Sequence, residues 1–125
     1  MSQVSIIILS ESAQAELLSA ALERTRDGER LLVVPPHLHP YLGSEPALNI
    51  AHPSVALRDQ LIDRAIAALR PDAIIADLES LQSITPNLDR YPQLKRAVLM
   101  SDGTEKKRHL REQAAMFEHA SIVGR

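Results

Sequence analysis

The sequence predicts an α/β domain in which helices cover both faces of a five-stranded parallel sheet. Short runs rich in β-branched residues, such as 4–10, do not alternate between polar and apolar residues, which is typical of strands buried on both faces. Helical patterns lie between these runs, and this order predicts parallel strands joined by right-handed crossovers. The length of 125 residues suits a single domain, 1–125.

The amino-acid composition argues against several classes of function. Hydrophobic residues make up 45% and charged residues 24%, which is ordinary for a globular chain. Cysteine is absent, which excludes a disulfide framework and thiolate chemistry. Aromatic residues are 2% and the formal charge is −2, so direct nucleic-acid binding is not expected. The longest apolar run, 6–9, is too short to cross a membrane, and the beginning of the sequence has no signal-peptide pattern; we expect a cytoplasmic protein.

The first half of the chain is predicted from these patterns in order. Strand 4–10 is followed by a helix over 12–25, which a serine at the turn is expected to cap. A second buried strand over 31–34 ends at a proline pair. The segment 35–53 holds five of the eight prolines and is predicted to be a long loop, with a possible short strand at 47–51.

The second half repeats the alternation. A helix over 54–69 has one apolar face, and the third strand, 73–76, ends at Asp77. The segment 78–94 is weakly patterned and has room for one short helix. The remaining predicted elements are a strand at 96–100, a turn at 101–104, a helix at 105–119 and a fifth strand at 121–124.

Open parallel sheets bind ligands outside the carboxyl ends of their strands. This rule selects the polar residues that follow the predicted strands: Ser10, Glu11, Asp77, Ser101 and Asp102. Each also has a simpler interpretation. Asp77 can cap the helix that follows, and Ser10, like Ser12, can be a helix cap. Glu11 can be a first-turn carboxylate that the helix dipole favours, and the 101–104 turn can lead to a cap at Thr104.

The order of elements resembles the receiver domain of two-component response regulators, with its flavodoxin-like sheet in the strand order 2-1-3-4-5. The stretches that carry the resemblance are AALRPDAIIADL at 67–78, RAVLMS at 96–101 and HASIVGR at 119–125. The resemblance places Asp77 at the phosphoacceptor position and Ser101 at the switch hydroxyl that contacts the phosphoryl group. Arg125 is the nearest basic residue to the lysine that ends the family's fifth strand.

Several positions depart from the receiver pattern. Receivers hold Mg²⁺ with an acidic pair after the first strand, whereas this chain has Leu9 and Ser10 there, so only Glu11 and Asp77 could supply carboxylates. Arginine does not replace the lysine, and the family's final helix is missing or short. These departures favour a degenerate pseudo-receiver: a regulatory, non-enzymatic module that binds a protein partner or fused effector domain, or itself as a dimer. No cofactor is then expected; Mg²⁺ belongs only to a genuine receiver.

The expected partner-binding surface is a basic cluster at the start of the last helix: Lys106, Lys107, Arg108 and Arg111. The simpler interpretation of these four residues is a solvent-exposed helix face. Within the predicted last helix, His109 and His119 lie too far apart to share a site.

Two further functions remain open. The first is a genuine Mg²⁺-dependent receiver that is phosphorylated on Asp77. The second is a small-molecule-binding α/β domain, or a fragment of a transferase-like enzyme, with a crevice over Ser10, Asp77 and Ser101 and the 35–53 loop as its lid. A separate minor hypothesis is a zinc site, because His37 and His39 would share one face of a strand and His52 could join them.

Overall fold

The computed structural model describes residues 4–26, 28–43, 45 and 55–124. The strands are β1 (Val4–Ile8), β2 (Glu29–Val33), β3 (Ala73–Asp77), β4 (Arg96–Ser101) and β5 (His119–Gly124). The α-helices are α1 (Ala15–Arg24), α2 (Val55–Leu69), α3 (Leu78–Ile84) and α4 (Lys107–Ala114). Two 3₁₀ helices complete the described elements, one over Pro36–Tyr41 and one over Thr85–Arg90. No helix among the described residues is long and apolar enough to cross a lipid bilayer.

The predicted fold class is confirmed. The five strands form one sheet in the order β2-β1-β3-β4-β5, and every neighbouring pair is parallel. The chain runs from β1 to β2 on one side and returns to β3 on the other, so the switch point lies between β1 and β3. The carboxyl ends of these two strands are adjacent, because Ile8 pairs with Ala76. This is the edge of an α/β flavodoxin-like sheet at which a ligand site is expected.

The central strands are apolar on both faces because helices lie on both sides. On one side, α2, α3 and α4 pack against Ile6, Ile74 and Leu99, none of which is exposed. On the other side, α1 and the first 3₁₀ helix pack against alternate residues of the same strands, including Ile7 and Ile75. The two-faced burial explains the lack of alternation in these runs.

The α1 side of the sheet is less fully covered at β4 and β5. Val98 and Val123 face this side and are only half-buried, whereas Ile75 on β3 is buried. On the opposite face of β5, Ile122 keeps 43% of its surface exposed, because α4 ends after two turns. Among the described residues, β5 is therefore the strand whose faces are least protected from solvent.

Several predicted boundaries were wrong. Helix α1 begins at Ala15, three residues late, and Gln14 precedes it without a side-chain cap. The predicted cap at Thr104 is also wrong, because Lys106 occupies the N-cap of α4. Helix α4 ends at Ala114 rather than at 119, since a turn follows that buries Phe117 in the core.

The early end of α4 lengthens the fifth strand, which starts at His119 rather than 121. His109 and His119 were predicted to lie on one helix, but they lie on α4 and β5.

The predicted loop over 35–53 contains a 3₁₀ helix that buries Leu38. Proline suits the first turn of such a helix, because its missing N–H needs no partner there. The predicted strand at 47–51 lies outside the described residues.

Gly124, at the end of β5, has no room for a side chain beside β4. A β-carbon at this position would lie 2.5 Å from the carbonyl oxygen of Ser101 and 2.8 Å from its Cβ. We expect Gly124→Ala to lower the free energy of unfolding by about 1–3 kcal/mol, because the end of β5 must move away from β4. Chemical denaturation measures this loss. An unchanged denaturation midpoint would show that the strand ends separate without cost.

Candidate functional site

Asp77 is the centre of the polar cluster at the switch point. Its carboxylate lies at the end of β3, and the side chain is only 5% exposed. The backbone N–H of Ser10 lies 3.3 Å from each of its two oxygens, and the Ser10 hydroxyl also donates to Oδ2. The backbone N–H of Ser80 donates to Oδ1 at 3.3 Å and makes Asp77 the N-cap of α3. Both carboxylate oxygens therefore accept hydrogen bonds from the protein, and the capping interpretation of Asp77 is confirmed.

The local sequence explains why β3 passes directly into α3. Asp77 has an extended backbone conformation, with φ −81° and ψ 171°, and Leu78 is the first helical residue. An aspartate in this position accepts a bond from a backbone N–H that the helix leaves unpaired. Ser10 comes to the same carboxylate because β1 and β3 are neighbours in the sheet. One side chain thus fixes the end of β1 to the start of α3.

A row of polar side chains extends from this carboxylate to the surface. The hydroxyl groups of Ser10 and Ser12 are 2.9 Å apart, and the Ser12 hydroxyl donates to Oε2 of Glu79 at 3.0 Å. Glu11 lies between the two serines in sequence and is exposed. The described residues contain no group of three His, Cys, Asp or Glu that could hold a metal ion. The pairing of Glu11 with Asp77 around Mg²⁺ requires only these two carboxylates and stays a prediction.

A small cavity lies beside these polar side chains, between the end of β1 and the helices α2 and α3. Its volume is about 40 Å³, and Leu9, Glu11, Arg58 and Ser80 are among the residues that line it. A space of this size holds a few water molecules. Pockets that bind small molecules measure roughly 300–1,000 Å³. As formed by the described residues, the crevice at the switch point is therefore much smaller than a sugar nucleotide needs.

Ser101 belongs to a separate turn at the end of β4. Its hydroxyl donates to Oε2 of Glu105 at 2.8 Å and accepts the N–H of Gly103 at 3.1 Å. In the sheet register Asp77 is opposite Met100, so Ser101 lies one residue beyond that pair. Within the described part of the chain, the Ser101 hydroxyl thus bonds within its own turn and not to Asp77.

The same turn stabilises the negative charge of Asp102. The hydroxyl and the backbone N–H of Thr104 both donate to Oδ1 of Asp102, at 2.6 and 2.8 Å. These hydrogen bonds hold the pKa of Asp102 below its ordinary value. Glu105 adds a bond to the backbone N–H of Asp102 at 3.4 Å. The segment is a self-contained turn, and Thr104 serves it as a donor rather than as a helix cap.

The predicted partner-binding residues Lys106, Lys107, Arg108 and Arg111 are all exposed. Arg108 pairs with Glu112 across one turn of α4 at 3.7 Å. Lys107 and Arg111 line a shallow depression that also includes Ile122 and Gly124. The fold therefore brings two of the four cations beside the carboxyl end of β5.

The histidine hypothesis placed His37 and His39 on a strand, and this was wrong, because both lie on the 3₁₀ helix after β2. Nε2 of His37 is 2.8 Å from the carbonyl oxygen of Ala13, and Nε2 of His39 is 3.1 Å from that of Val34. A carbonyl can only accept, so each Nε2 carries the proton of its bond. His52 lies outside the described residues, as does Arg125.

One partly buried polar contact was not predicted. The hydroxyl of Tyr91 donates to Oδ1 of Asp63 on α2, and Nη1 of Arg90 lies 3.4 Å from the same oxygen. Burial and the neighbouring carboxylate raise the pKa of Tyr91 to about 12. Asp63 and Tyr91 are 28 residues apart, so no local spacing could reveal the pair. It ties the segment after α3 to the surface of α2.

Fold and site together define an α/β domain with a parallel five-stranded sheet and a buried aspartate at its switch point. A scan against protein-family models matches no family, and searches of curated proteins and of solved structures find no match.

Proposed function

We propose that this chain is a receiver-like protein-interaction module in which the phosphoacceptor position has become structural. The proposal rests on one observation: Asp77 is buried, and both of its carboxylate oxygens accept hydrogen bonds from the protein. Its carboxylate accepts bonds from two backbone N–H groups and one hydroxyl and is 5% exposed. A nucleophilic carboxylate needs an oxygen that is free to approach the phosphoryl donor, whereas here the oxygens stabilise the junction of β1, β3 and α3.

The environment of Asp77 supports the same proposal. Mg²⁺ prefers carboxylate oxygens and keeps several waters, so its site must be accessible. The two residues that follow β1, beside Asp77, are Leu9, which is buried, and Ser10, which donates to the aspartate. Ser101 is engaged with Glu105 at 2.8 Å. The three positions that would carry phosphoryl transfer are thus used for internal contacts.

The uncovered part of the sheet supports an interaction function. Val98 and Val123 are half-buried, and Ile122 is 43% exposed. Val98 and Val123 lie on the α1 face and Ile122 on the opposite face, and the apolar surface that they leave exposed is of the kind that protein–protein contacts cover. Lys107 and Arg111 border it on the α4 side. The module would therefore act through β4, β5 and the start of α4.

Intact mass after incubation with acetyl phosphate tests the proposal. We expect no phosphoryl adduct on the wild-type chain, with or without Mg²⁺, and the same result for Asp77→Asn. The variant keeps the size of the side chain and removes only its nucleophilic charge. A Mg²⁺-dependent adduct that is present in the wild type and lost in Asp77→Asn would contradict the proposal and identify a working receiver.

A thermal-shift panel of nucleotides and sugar nucleotides tests the small-molecule alternative. We expect no compound to raise the melting temperature, since the switch-point cavity is about 40 Å³. Stabilisation that grows with ligand concentration, as linkage requires of true binding, would favour a ligand-binding domain instead.

A further inference from the structure

We propose that two copies of this chain pair antiparallel through β5 and form one continuous ten-stranded sheet across a two-fold axis at Ser121. The second copy is then the partner of the proposed interaction module, so this pairing rests on the proposed function. It is carried by the unprotected edge of β5, by the outward direction of its backbone groups, and by the charges at its two ends.

The two edges of the sheet differ in how they are protected. Strand β2 carries Glu29 and Arg30, and Arg30 is held by both carboxylate oxygens of Glu45 at 2.5 and 2.6 Å. Charged residues and covering segments are the usual means by which a sheet edge avoids further pairing. Strand β5, over His119–Gly124, contains no proline and no Asp, Glu, Lys or Arg. In the part of the chain that the structure describes, β5 is the edge that lacks these devices.

The backbone of β5 presents three residues for pairing. The N–H of His119 donates to the carbonyl oxygen of Lys95 at 3.0 Å, so His119 turns its backbone groups toward β4. Because these directions alternate along a strand in a parallel pair, Ala120, Ile122 and Gly124 turn theirs away from β4. Among the described residues, no strand pairs with β5 on that side.

A two-fold axis at Ser121 satisfies these outward groups. Ala120 of one copy then lies opposite Ile122 of the other, and each pair exchanges two backbone hydrogen bonds. Ile122, 43% exposed, is covered by the small side chain of Ala120 from the second copy. The Ser121 residues face each other as a pair without backbone bonds, with Cα atoms about 4.5 Å apart.

The charges at the ends of β5 are complementary in this arrangement. Glu118 immediately precedes the strand and is exposed; its contacts to Lys95 and His119, both 3.7 Å, are long surface pairs that are easily exchanged. Lys107 and Arg111 lie beside Gly124 at the other end. The antiparallel register places Glu118 opposite Gly124, and therefore next to Lys107 and Arg111 of the second copy. This occurs twice across the two-fold axis, as an isologous contact requires.

The absence of cysteine from the chain gives a direct test of the register. In Ser121→Cys the only thiol lies on the axis, within the Cα separation that a disulfide needs. We expect mild oxidation to link two copies on the order of a hundredfold faster than in Ser19→Cys, because pairing raises the effective concentration of the thiols. Ser19 is the matched control, since it is also a serine that is exposed, on α1.

Sedimentation velocity over a range of concentrations tests the association itself. We expect the wild type to dimerise, and Ile122→Lys to remain a monomer with an unchanged circular dichroism spectrum. Glu118→Lys should weaken the dimer, and adding Lys107→Glu and Arg111→Glu should restore it. A wild type that remains monomeric, or equal rates of oxidation for the two cysteine variants, would overturn the inference.

These outcomes separate the inference from the proposed function. A monomeric chain that takes no phosphoryl group overturns the β5 pairing and leaves binding to other proteins as the function. A phosphoryl adduct on Asp77 overturns the proposed function whatever the oligomeric state.

Discussion

Replacing Asp77 with alanine is expected to lower the free energy of unfolding by about 3 kcal/mol. The substitution removes the N-cap of α3, which is worth about 1 kcal/mol, and the charged acceptor of the bonds from Ser10. Since Asp77 is 5% exposed, water cannot easily replace these bonds, and the N–H groups of Ser10 and Ser80 are left without their acceptor. Urea denaturation monitored by circular dichroism measures the loss.

Two variants distinguish the contributions at this site. Asp77→Asn keeps a capping oxygen and should cost about 1 kcal/mol, because asparagine is as good an N-cap as aspartate but carries no charge. Ser10→Ala removes only the hydroxyl donor and should also cost about 1 kcal/mol. An alanine variant at Asp77 that is as stable as the wild type would contradict a structural role for this carboxylate. It would also weaken the proposed function, which depends on that role.

The second large effect is expected at alkaline pH from Tyr91. Its pKa is about 12 in the folded chain, above the ordinary value of 10.0, so the folded state holds the proton more tightly than the unfolded state. The stabilisation is fully present below pH 10 and is lost as the pH rises to about 12. A difference of this size corresponds to about 3 kcal/mol, and the residue is 5% exposed.

Comparison with Tyr91→Phe isolates this effect from other groups that titrate at high pH. Near neutral pH the variant should be less stable by about 1.5 kcal/mol, because it loses the hydrogen bond to the Asp63 carboxylate. That difference should disappear by about pH 12. Tyr41→Phe is the matched control, since Tyr41 is 62% exposed, and its stability should follow the wild type throughout. A wild-type advantage that persists above pH 12 would contradict the assignment.

Much of the fold could be predicted because its signals are local. The runs at 4–10, 31–34, 73–76 and 96–100 reveal buried strands by composition, and the alternation with helices restricts their connections. The ends of elements were harder to predict. Helix α4 stops at Ala114 because Phe117 turns into the core, and tertiary packing of this kind overrides helical patterning. Likewise, Ser10 and Ser12, at the turn where a serine was expected to cap α1, donate their hydroxyls to Asp77 and Glu79 instead.

Only some of the side-chain contacts at the candidate site could be predicted from the sequence. The rule about strand ends correctly brought Ser10 and Asp77 together, because both follow neighbouring strands. It also placed Ser101 in the same crevice, but the Ser101 hydroxyl donates to Glu105 four residues away. The rule places a residue at the carboxyl-terminal edge of the sheet. It does not predict to which of the nearby acceptors the side chain donates its hydrogen bond.

The sequence by itself determined the α/β class, the parallel sheet and the presence of a polar cluster at its switch point. These follow from hydrophobic periodicity and chain connectivity, which every segment carries locally. Only the tertiary structure decided that Ser10 donates hydrogen bonds to Asp77 across 67 residues and that Tyr91 meets Asp63 across 28. It also decided that no described element covers the outer edge of β5. These features depend on which surfaces meet after folding, and side-chain partners distant in sequence leave no periodic signal.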